Sequence, residues 1–188
     1  MSEPALILAT RNKHKVAEMA ALLPGVGLRP LPPEVELPPE TGETFEANAL
    51  IKARAAHAAL PEAVVVADDS GIEAEDLGGA PGIYSARYAG PEASDEVNLE
   101  KLLREVDAAG GERRAAYVCA LALIDADGAE HLFLGRCEGR LLREPTTAAA
   151  LGRRGRERVT RDYLITGLLG DYLRLVRQIV SPTEPTEG

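Results

Sequence analysis

The feature that most constrains the fold is a short apolar run, residues 63–67, that ends in the adjacent acids Asp68 and Asp69. This run of alanine and valine has the length and composition of a buried β-strand. Ser70 and Gly71 follow, and a glycine-rich segment occupies residues 78–88. Open α/β sheets bind ligands beyond the carboxyl ends of their strands, so the acids are expected in a loop beside a ligand. Asp, Ser and Gly are also ordinary turn residues, which leaves a simple turn as the alternative.

The bulk properties indicate a globular protein. The chain has 188 residues, enough for a sizeable core, and we expect one domain over residues 1–180 and a disordered tail over residues 181–188. The formal net charge of −9 argues against a nucleic-acid polymer as partner, because phosphate backbones attract basic surfaces. No signal-peptide pattern or membrane-spanning run is seen, so a cytoplasmic protein without a membrane partner is expected.

Hydrophobic spacing predicts the element order β-α-α-β-α-β-β-β, which indicates an α/β fold with a mixed sheet flanked by helices. Helices are predicted after Lys15, over residues 43–60, from the capping residue Ser94, and over residues 164–180. Five prolines between residues 29 and 40 predict an extended loop. Strands are predicted at residues 5–9, 63–67, 117–124, 130–135 and 136–143.

The turn after the first strand, residues 10–15, has the composition of an anion-binding site. Backbone N–H groups at a helix N-terminus favour phosphate, and Thr10, Asn12 and Lys15 add polar and cationic side chains. The spacing is not that of a Walker A motif, which disfavours an ATPase of that class. Helix capping and solvated lysines would produce the same residues, so both interpretations stay open for this segment alone.

Three further positions carry groups suited to phosphate or metal chemistry. Glu40 could bind a metal or complement the dipole of the helix that follows, and Lys52 could face a phosphate or extend over the surface. Asn48 and Lys52 are four residues apart and share a helix face. The adjacent carboxylates of Asp68 and Asp69 repel each other, and a bound cation would neutralise them.

Five segments together resemble one family, the inosine/xanthosine triphosphate pyrophosphatases. The resemblance extends over about residues 5–145. It implies an elongated mixed β-sheet flanked by helices, with two lobes around a central cleft, usually in a homodimer. The segments are Thr-x-Asn-x-x-Lys from residue 10, Glu-Thr-Gly-x-Thr-Phe from residue 40, Asn-Ala-x-x-Lys-Ala from residue 48, Asp-Asp-Ser-Gly from residue 68, and Gly-Gly-Ala-Pro-Gly-Ile-Tyr-Ser-Ala-Arg-Tyr from residue 78.

The resemblance also implies a reaction and roles for residues. The family converts a nucleoside triphosphate and water to monophosphate and pyrophosphate with Mg²⁺, and prefers the deaminated purines ITP, dITP and XTP. Glu40 and Asp69 match the metal-binding acids, and Asp69 also matches the proton acceptor. The matched substrate-binding positions are Thr10, Arg11, Asn12, Lys13, His14, Lys15, Lys52 and Ser70.

The sequence departs from the family pattern after Pro145. The family's Phe-Gly-Tyr-Asp and Ser-His-Arg segments, which grip the purine, are absent, and the region from Pro145 onward has seven arginines and five acids. A natively divergent segment and a shifted reading frame both stay open as explanations. A catalytically impaired nucleotide-binding remnant is therefore the alternative function, and a hydrolase of modified pyrimidine triphosphates is a third.

Overall fold

The computed structural model describes residues 6–22 and 27–142. Five strands form one mixed sheet: β1 (Leu6–Leu8), β2 (Leu28–Pro30), β3 (Val64–Ala74), β4 (Arg114–Ile124) and β5 (Glu130–Arg140). Their order across the sheet is β2-β1-β3-β4-β5. β1 pairs in parallel with β2 and β3, whereas β4 pairs antiparallel with β3 and β5. The predicted mixed sheet is confirmed.

In the described residues, three α-helices cover the sheet: α1 (Lys13–Leu22), α2 (Phe45–Ala59) and α3 (Asp95–Ala109). Thr44 and Ser94 cap α2 and α3 by accepting backbone N–H groups of the first turn. A short 3₁₀ helix at Glu75–Leu77 and another at Gly82–Arg87 connect β3 to α3. None of the helices in these described ranges combines the length and hydropathy that crossing a bilayer requires.

The helices pack on opposite faces of the sheet. The small residues Ala49, Ala53 and Ala56 let α2 approach β3 and β4 closely on one face, as the sequence predicts. On the other face α1 packs against β1, β3 and β4, and α3 packs against the end of β3. Leu99, which the spacing predicts to be buried on α3, is 47% exposed.

The strand before the two acids continues through them. The prediction that it ends at residue 67 and that the acids lie in a loop is wrong, because β3 extends to Ala74. The cause is β4, whose antiparallel ladder places Leu121 opposite Asp68 and Ala115 opposite Ala74. Successive side chains of a strand point to opposite faces. The carboxylates of Asp68 and Asp69 therefore lie on opposite sides of the sheet rather than side by side.

The element order differs from the prediction in two more places. Leu28–Pro30 forms an edge strand at the start of the proline-rich segment, where an extended loop was expected, and edge strands tolerate proline. Residues 130–140 form one strand rather than two, because the ladder with β4 is continuous from Glu130 to Arg140. The predicted strand end at residue 143, the helix over residues 164–180 and the tail at residues 181–188 lie outside the described residues.

The turn between β4 and β5 is held by the carboxylate of Asp125. Its Oδ1 accepts the N–H groups of Asp127 at 3.0 Å and Ala129 at 2.8 Å, and His131 Nε2 lies 3.4 Å from Oδ2. Burial alone raises the pKa of Asp125, but the two N–H donors and His131 lower it overall. The charged carboxylate therefore stabilises the hairpin.

We expect Asp125→Ala to lower the free energy of unfolding by about 1–2 kcal/mol near neutral pH, because two N–H groups lose their partner. The folded-state pKa is depressed, so this contribution is present above the unfolded-state pKa and is lost as pH falls through the folded-state pKa. Urea unfolding at about pH 7 and about pH 2 would measure it, with the exposed Asp127→Ala as control. A deficit of equal size at both pH values would contradict the prediction.

Candidate active site

A cleft of about 1040 Å³ lies beside the part of β3 that β1 does not pair, and it is lined by residues of both α1 and α3. The ladder between β1 and β3 ends at Leu8 and Val66, whereas β3 continues to Ala74. The second half of β3 thus borders the cleft. Eight of the residues predicted from the sequence line it: Thr10, Arg11, Asn12, Lys15, Glu40, Lys52, Asp69 and Ser70.

The glycine-rich segment is seated directly on β3. A Cβ atom on Gly71 would lie 2.5 Å from Ser85 Oγ and 2.6 Å from the carbonyl oxygen of Gly82, so only glycine fits at this position. Ser85 Oγ accepts the N–H of Ile72 at 2.9 Å. This contact explains why a glycine two residues after Asp69 accompanies the glycine-rich segment, and it fixes one wall of the cleft.

The start of α1 combines both roles that the sequence leaves open. Asn12 Oδ1 accepts the backbone N–H of Lys15 at 3.4 Å, and Thr10 Oγ1 accepts the N–H of Asn12 at 3.2 Å. These are capping contacts. Both residues also line the cleft, so the N-terminus of α1 lies where an anionic ligand would benefit from the helix dipole.

Lys15 extends from α1 to the carboxylate of Asp68, with Nζ and Oδ2 2.5 Å apart. Burial lowers the pKa of Lys15, but the attraction of Asp68 and the hydrogen bond to it outweigh burial, so the pKa is raised overall. Asp68 Oδ1 is buried and has no hydrogen-bond partner in the part of the chain that the structure describes. Asp68 therefore braces a charged lysine at the cleft from the face opposite Asp69.

Asp69 lies on the α2 side of β3 and is hydrogen-bonded at both oxygens. Asn48 Nδ2 donates to Oδ2 at 3.0 Å, and the N–H of Ser70 donates to Oδ1 at 3.0 Å. Burial raises the pKa of Asp69, and repulsion from Glu40 adds to the rise, while Asn48 and Lys52 act in the opposite direction. Asp69 is thus a cleft-lining carboxylate whose raised pKa makes it more basic than an exposed aspartate.

Glu40 and Lys52 form an ion pair at the same end of the cleft. Lys52 is buried on α2 with its side chain 11% exposed, and Glu40 is 30% exposed on the segment before the helix. Of the described residues, no group of three or more His, Cys, Asp or Glu is placed to hold a metal. The oxygen ligands available to a metal at this end of the cleft are therefore the two carboxylates of Glu40 and Asp69, next to Lys52.

The matched segment also contains Arg11, Lys13 and His14. Arg11 lines the cleft, but its guanidinium donates to the carbonyl oxygens of Leu31, Pro32 and Pro33 and so anchors the proline-rich segment. Lys13 is exposed and does not line the cleft. His14 lies in α1, and its side chain is outside the described residues.

Two residues that sequence reasoning did not assign also reach the site. Tyr117 on β4 donates its hydroxyl to Ser70 Oγ at 3.1 Å and lines the cleft. No signal in the sequence pairs these residues, because the register of β3 with β4 is not readable from one chain. Asn48 donates a hydrogen bond to Asp69. The sequence feature that could have identified it is its spacing of four residues from Lys52, which places both on one face of α2.

Comparisons with known proteins match most of the chain. A model of the Ham1 family matches residues 6–152. A dITP/XTP pyrophosphatase from Symbiobacterium thermophilum is 46% identical over 158 residues, which cover 81% of this chain and 77% of that protein. Another from Vibrio parahaemolyticus is 47% identical over 146 residues, covering 74% of this chain and 72% of that protein.

Solved structures of proteins with similar names superpose on this chain. A HAM1 protein from Coxiella burnetii superposes with a TM-score of 0.68 at 37% identity, covering 76% of this chain and 75% of the other. A nucleoside-triphosphatase (dITP/XTP pyrophosphatase) from Mycobacterium abscessus superposes with a TM-score of 0.63 at 34% identity, covering 81% of this chain and 96% of the other. Both proteins share more than a third of the aligned residues with this chain, and each superposition covers more than three quarters of it.

Proposed function

This chain belongs to the Ham1 family, and on that basis we propose that its cleft hydrolyses non-standard purine nucleoside triphosphates (ITP, dITP and XTP) to monophosphate and pyrophosphate. Such a reaction removes deaminated purines from the nucleotide pool. The observation that carries the proposal is the convergence of Glu40, Lys52 and Asp69 in a cleft that Lys15 also lines.

The donor set fits Mg²⁺. This ion takes oxygen ligands and is commonly held by one or two carboxylates together with substrate phosphates. Glu40 and Asp69 supply two carboxylates that are close enough for Glu40 to raise the pKa of Asp69 by repulsion, after the larger effect of burial. We propose that these two side chains hold Mg²⁺. When bound, the ion would offset phosphate charge and make water more acidic.

The lysines are prepared for a polyphosphate. Lys15 is held by Asp68 and Lys52 by Glu40, so each ammonium group is fixed at the cleft before substrate arrives. On binding, phosphate oxygens would accept lysine N–H groups that now donate to these carboxylates. Fixing the lysines in advance reduces the entropy lost on binding. Thr10, Asn12 and Ser70 would add neutral hydrogen bonds from the cleft wall.

Asp69 is the candidate general base. Burial raises the pKa of Asp69, which favours proton acceptance from water, while the Asn48 hydrogen bond and Lys52 act to lower this pKa. The activated water would attack the α-phosphorus. The bond from that phosphorus to the bridging oxygen would break, and pyrophosphate would leave with the electron pair. Lys15 and Lys52 would stabilise the negative charge that develops on the leaving group.

The proposal extends to organisation and partners. We propose one nucleotide pyrophosphatase domain over residues 1–180, a homodimer, and a cytoplasmic location. The partner is a nucleoside triphosphate rather than a nucleic-acid polymer, which the net charge of −9 supports. Size exclusion with light scattering would test the homodimer.

The experiment for the reaction is a substrate panel of ITP, XTP, dITP, GTP and dUTP with Mg²⁺, followed by quantification of monophosphate and pyrophosphate. We expect kcat/KM for the deaminated purines to exceed that for GTP about tenfold or more, and turnover to stop when EDTA removes the metal. Calorimetric binding of ITP without hydrolysis would instead identify a nucleotide-binding remnant. Preference for dUTP would identify a pyrimidine triphosphate hydrolase.

A further inference from the structure

Asn48 is a fully buried amide that connects two separate parts of the site. It lies on α2 one turn before Lys52 and is 0% exposed. Its Nδ2 donates to Asp69 Oδ2 at 3.0 Å, and its Oδ1 accepts the backbone N–H of Gly42 at 2.8 Å. A carboxylate only accepts and a backbone N–H only donates, so these partners fix the orientation of the amide.

The two hydrogen-bond partners of Asn48 connect it to both proposed metal-binding acids. Asp69 is one of them, and Gly42 comes two residues after Glu40, the other. The segment from Glu40 to Gly42 is irregular and precedes the α2 capping residue Thr44, and the Glu40 side chain also pairs with Lys52 on α2. Without the hydrogen bond to Gly42, nothing else described on this segment's backbone ties it to β3.

The approach of Gly42 to α2 is as close as a glycine permits. A Cβ atom at residue 42 would lie 2.8 Å from Asn48 Oδ1 and 2.7 Å from Ala47 Cβ. The backbone has been brought against the amide at a distance that any side chain would prevent. The amide therefore holds the segment at one position relative to Asp69 rather than restraining it loosely.

We propose that Asn48 is the positioning residue that sets the separation and orientation of Glu40 and Asp69 for the metal. This inference rests on the proposed function. The side chain does not touch the metal or the substrate. It acts through Asp69 on one side and through the Gly42 backbone on the other, from a helix that is rigidly packed on the sheet. Residues of this kind around a metal site typically change metal affinity or activity by about 10–100-fold.

The chain offers a matched control in its other buried asparagine. Asn98 on α3 likewise uses both ends of its amide, accepting the N–H of Ala89 at 2.8 Å and donating to the carbonyl oxygen of Ala86 at 3.1 Å. Asn98 lines the cleft on its α3 side, but its hydrogen bonds go to Ala86 and Ala89 rather than to Glu40 or Asp69. Asn98→Leu should therefore lower stability in the way that losing any buried amide bridge does, without affecting the Mg²⁺ requirement.

The test compares Asn48→Leu, Asn98→Leu and the unmodified protein in a Mg²⁺ titration. Two readouts are used: the Mg²⁺ concentration for half-maximal ITP turnover, and that for half-maximal thermal stabilisation with a fixed concentration of inorganic pyrophosphate. We expect Asn48→Leu to raise both midpoints about tenfold or more and to lower kcat, with little change in the KM for ITP. Asn98→Leu should leave both midpoints unchanged.

Gly42→Ala tests the hydrogen bond between Gly42 and Asn48 from the irregular segment. It replaces Asn48→Leu if that variant does not fold, because the fold depends less on packing in this segment. It should also raise the Mg²⁺ midpoints. Unchanged midpoints in a folded Asn48→Leu or Gly42→Ala variant, with an unmodified protein that requires Mg²⁺, would overturn the positioning role alone. An unmodified protein that shows neither turnover nor stabilisation by Mg²⁺ would instead overturn the proposed function.

Discussion

Replacement of Asp69 by asparagine is expected to lower kcat for ITP by about 10³- to 10⁴-fold while the protein stays folded. Asparagine has the shape of aspartate but cannot accept the proton from water and is a much weaker ligand for Mg²⁺. The pKa of Asp69 is raised in the folded protein, chiefly by burial, which means that its charged form destabilises the fold near neutral pH. Asparagine keeps one acceptor oxygen where Asp69 accepts two hydrogen bonds, which offsets the relief of this burial cost, so we expect the thermal midpoint to change little.

The measurement is steady-state turnover of ITP alongside a thermal melt. Asp127→Asn is the control, because Asp127 is exposed in the turn between β4 and β5 and does not line the cleft. It should change neither readout. Turnover of Asp69→Asn within tenfold of the unmodified protein would assign the proton-accepting role to another group. A large drop in its thermal midpoint would show that Asp69 is structural.

Replacement of Lys52 by methionine is expected to lower kcat/KM for ITP by about 10²- to 10³-fold. Methionine fills a similar volume, so packing on α2 is largely retained. The change removes a buried cation from the proposed phosphate-binding part of the cleft and leaves Glu40 without its ion-pair partner. The unpaired Glu40 carboxylate then repels the incoming triphosphate, so two effects act in the same direction.

Arg54→Met is the matched control for this variant. Arg54 is on the same helix two residues further along, and it also pairs with a glutamate, Glu130, but on the exposed outer side of α2. Exposed ion pairs contribute little, so its turnover should stay within about twofold of the unmodified protein. The measurement is kcat/KM for ITP in both variants by steady-state kinetics. Equal activities in the two variants would remove Lys52 from the phosphate site.

Much of the fold is predictable from this sequence because its elements carry local signals. The small-residue stripe Ala49, Ala53 and Ala56 follows helical spacing, and Ser94 is a strong capping residue. The extension of β3 was not predictable, because Asp68, Asp69 and Ser70 are turn formers by composition. Their strand conformation is imposed by β4, and pairing between distant strands has no signature in a single chain.

The site shows the same division. The phosphate segment, the acids and Lys52 were assigned by resemblance, and the cleft brings most of them together. Their partners were not assigned. The sequence suggested a cation shared by two adjacent carboxylates. Because side chains alternate along a strand, Asp68 instead pairs with Lys15 on one face of the sheet, and Asp69 accepts a hydrogen bond from Asn48 on the other. The close fit of Gly42 to Asn48 likewise depends on tertiary approach that spacing alone cannot express.

The most direct measurement is hydrolysis of ITP with Mg²⁺ in H₂¹⁸O, followed by mass spectrometry of both products. If Asp69 directs water to the α-phosphorus and pyrophosphate leaves, one ¹⁸O atom will appear in each molecule of inosine monophosphate and none in pyrophosphate. Recovery of the label in pyrophosphate, or release of inosine diphosphate with labelled inorganic phosphate, would contradict attack at the α-phosphorus in this cleft.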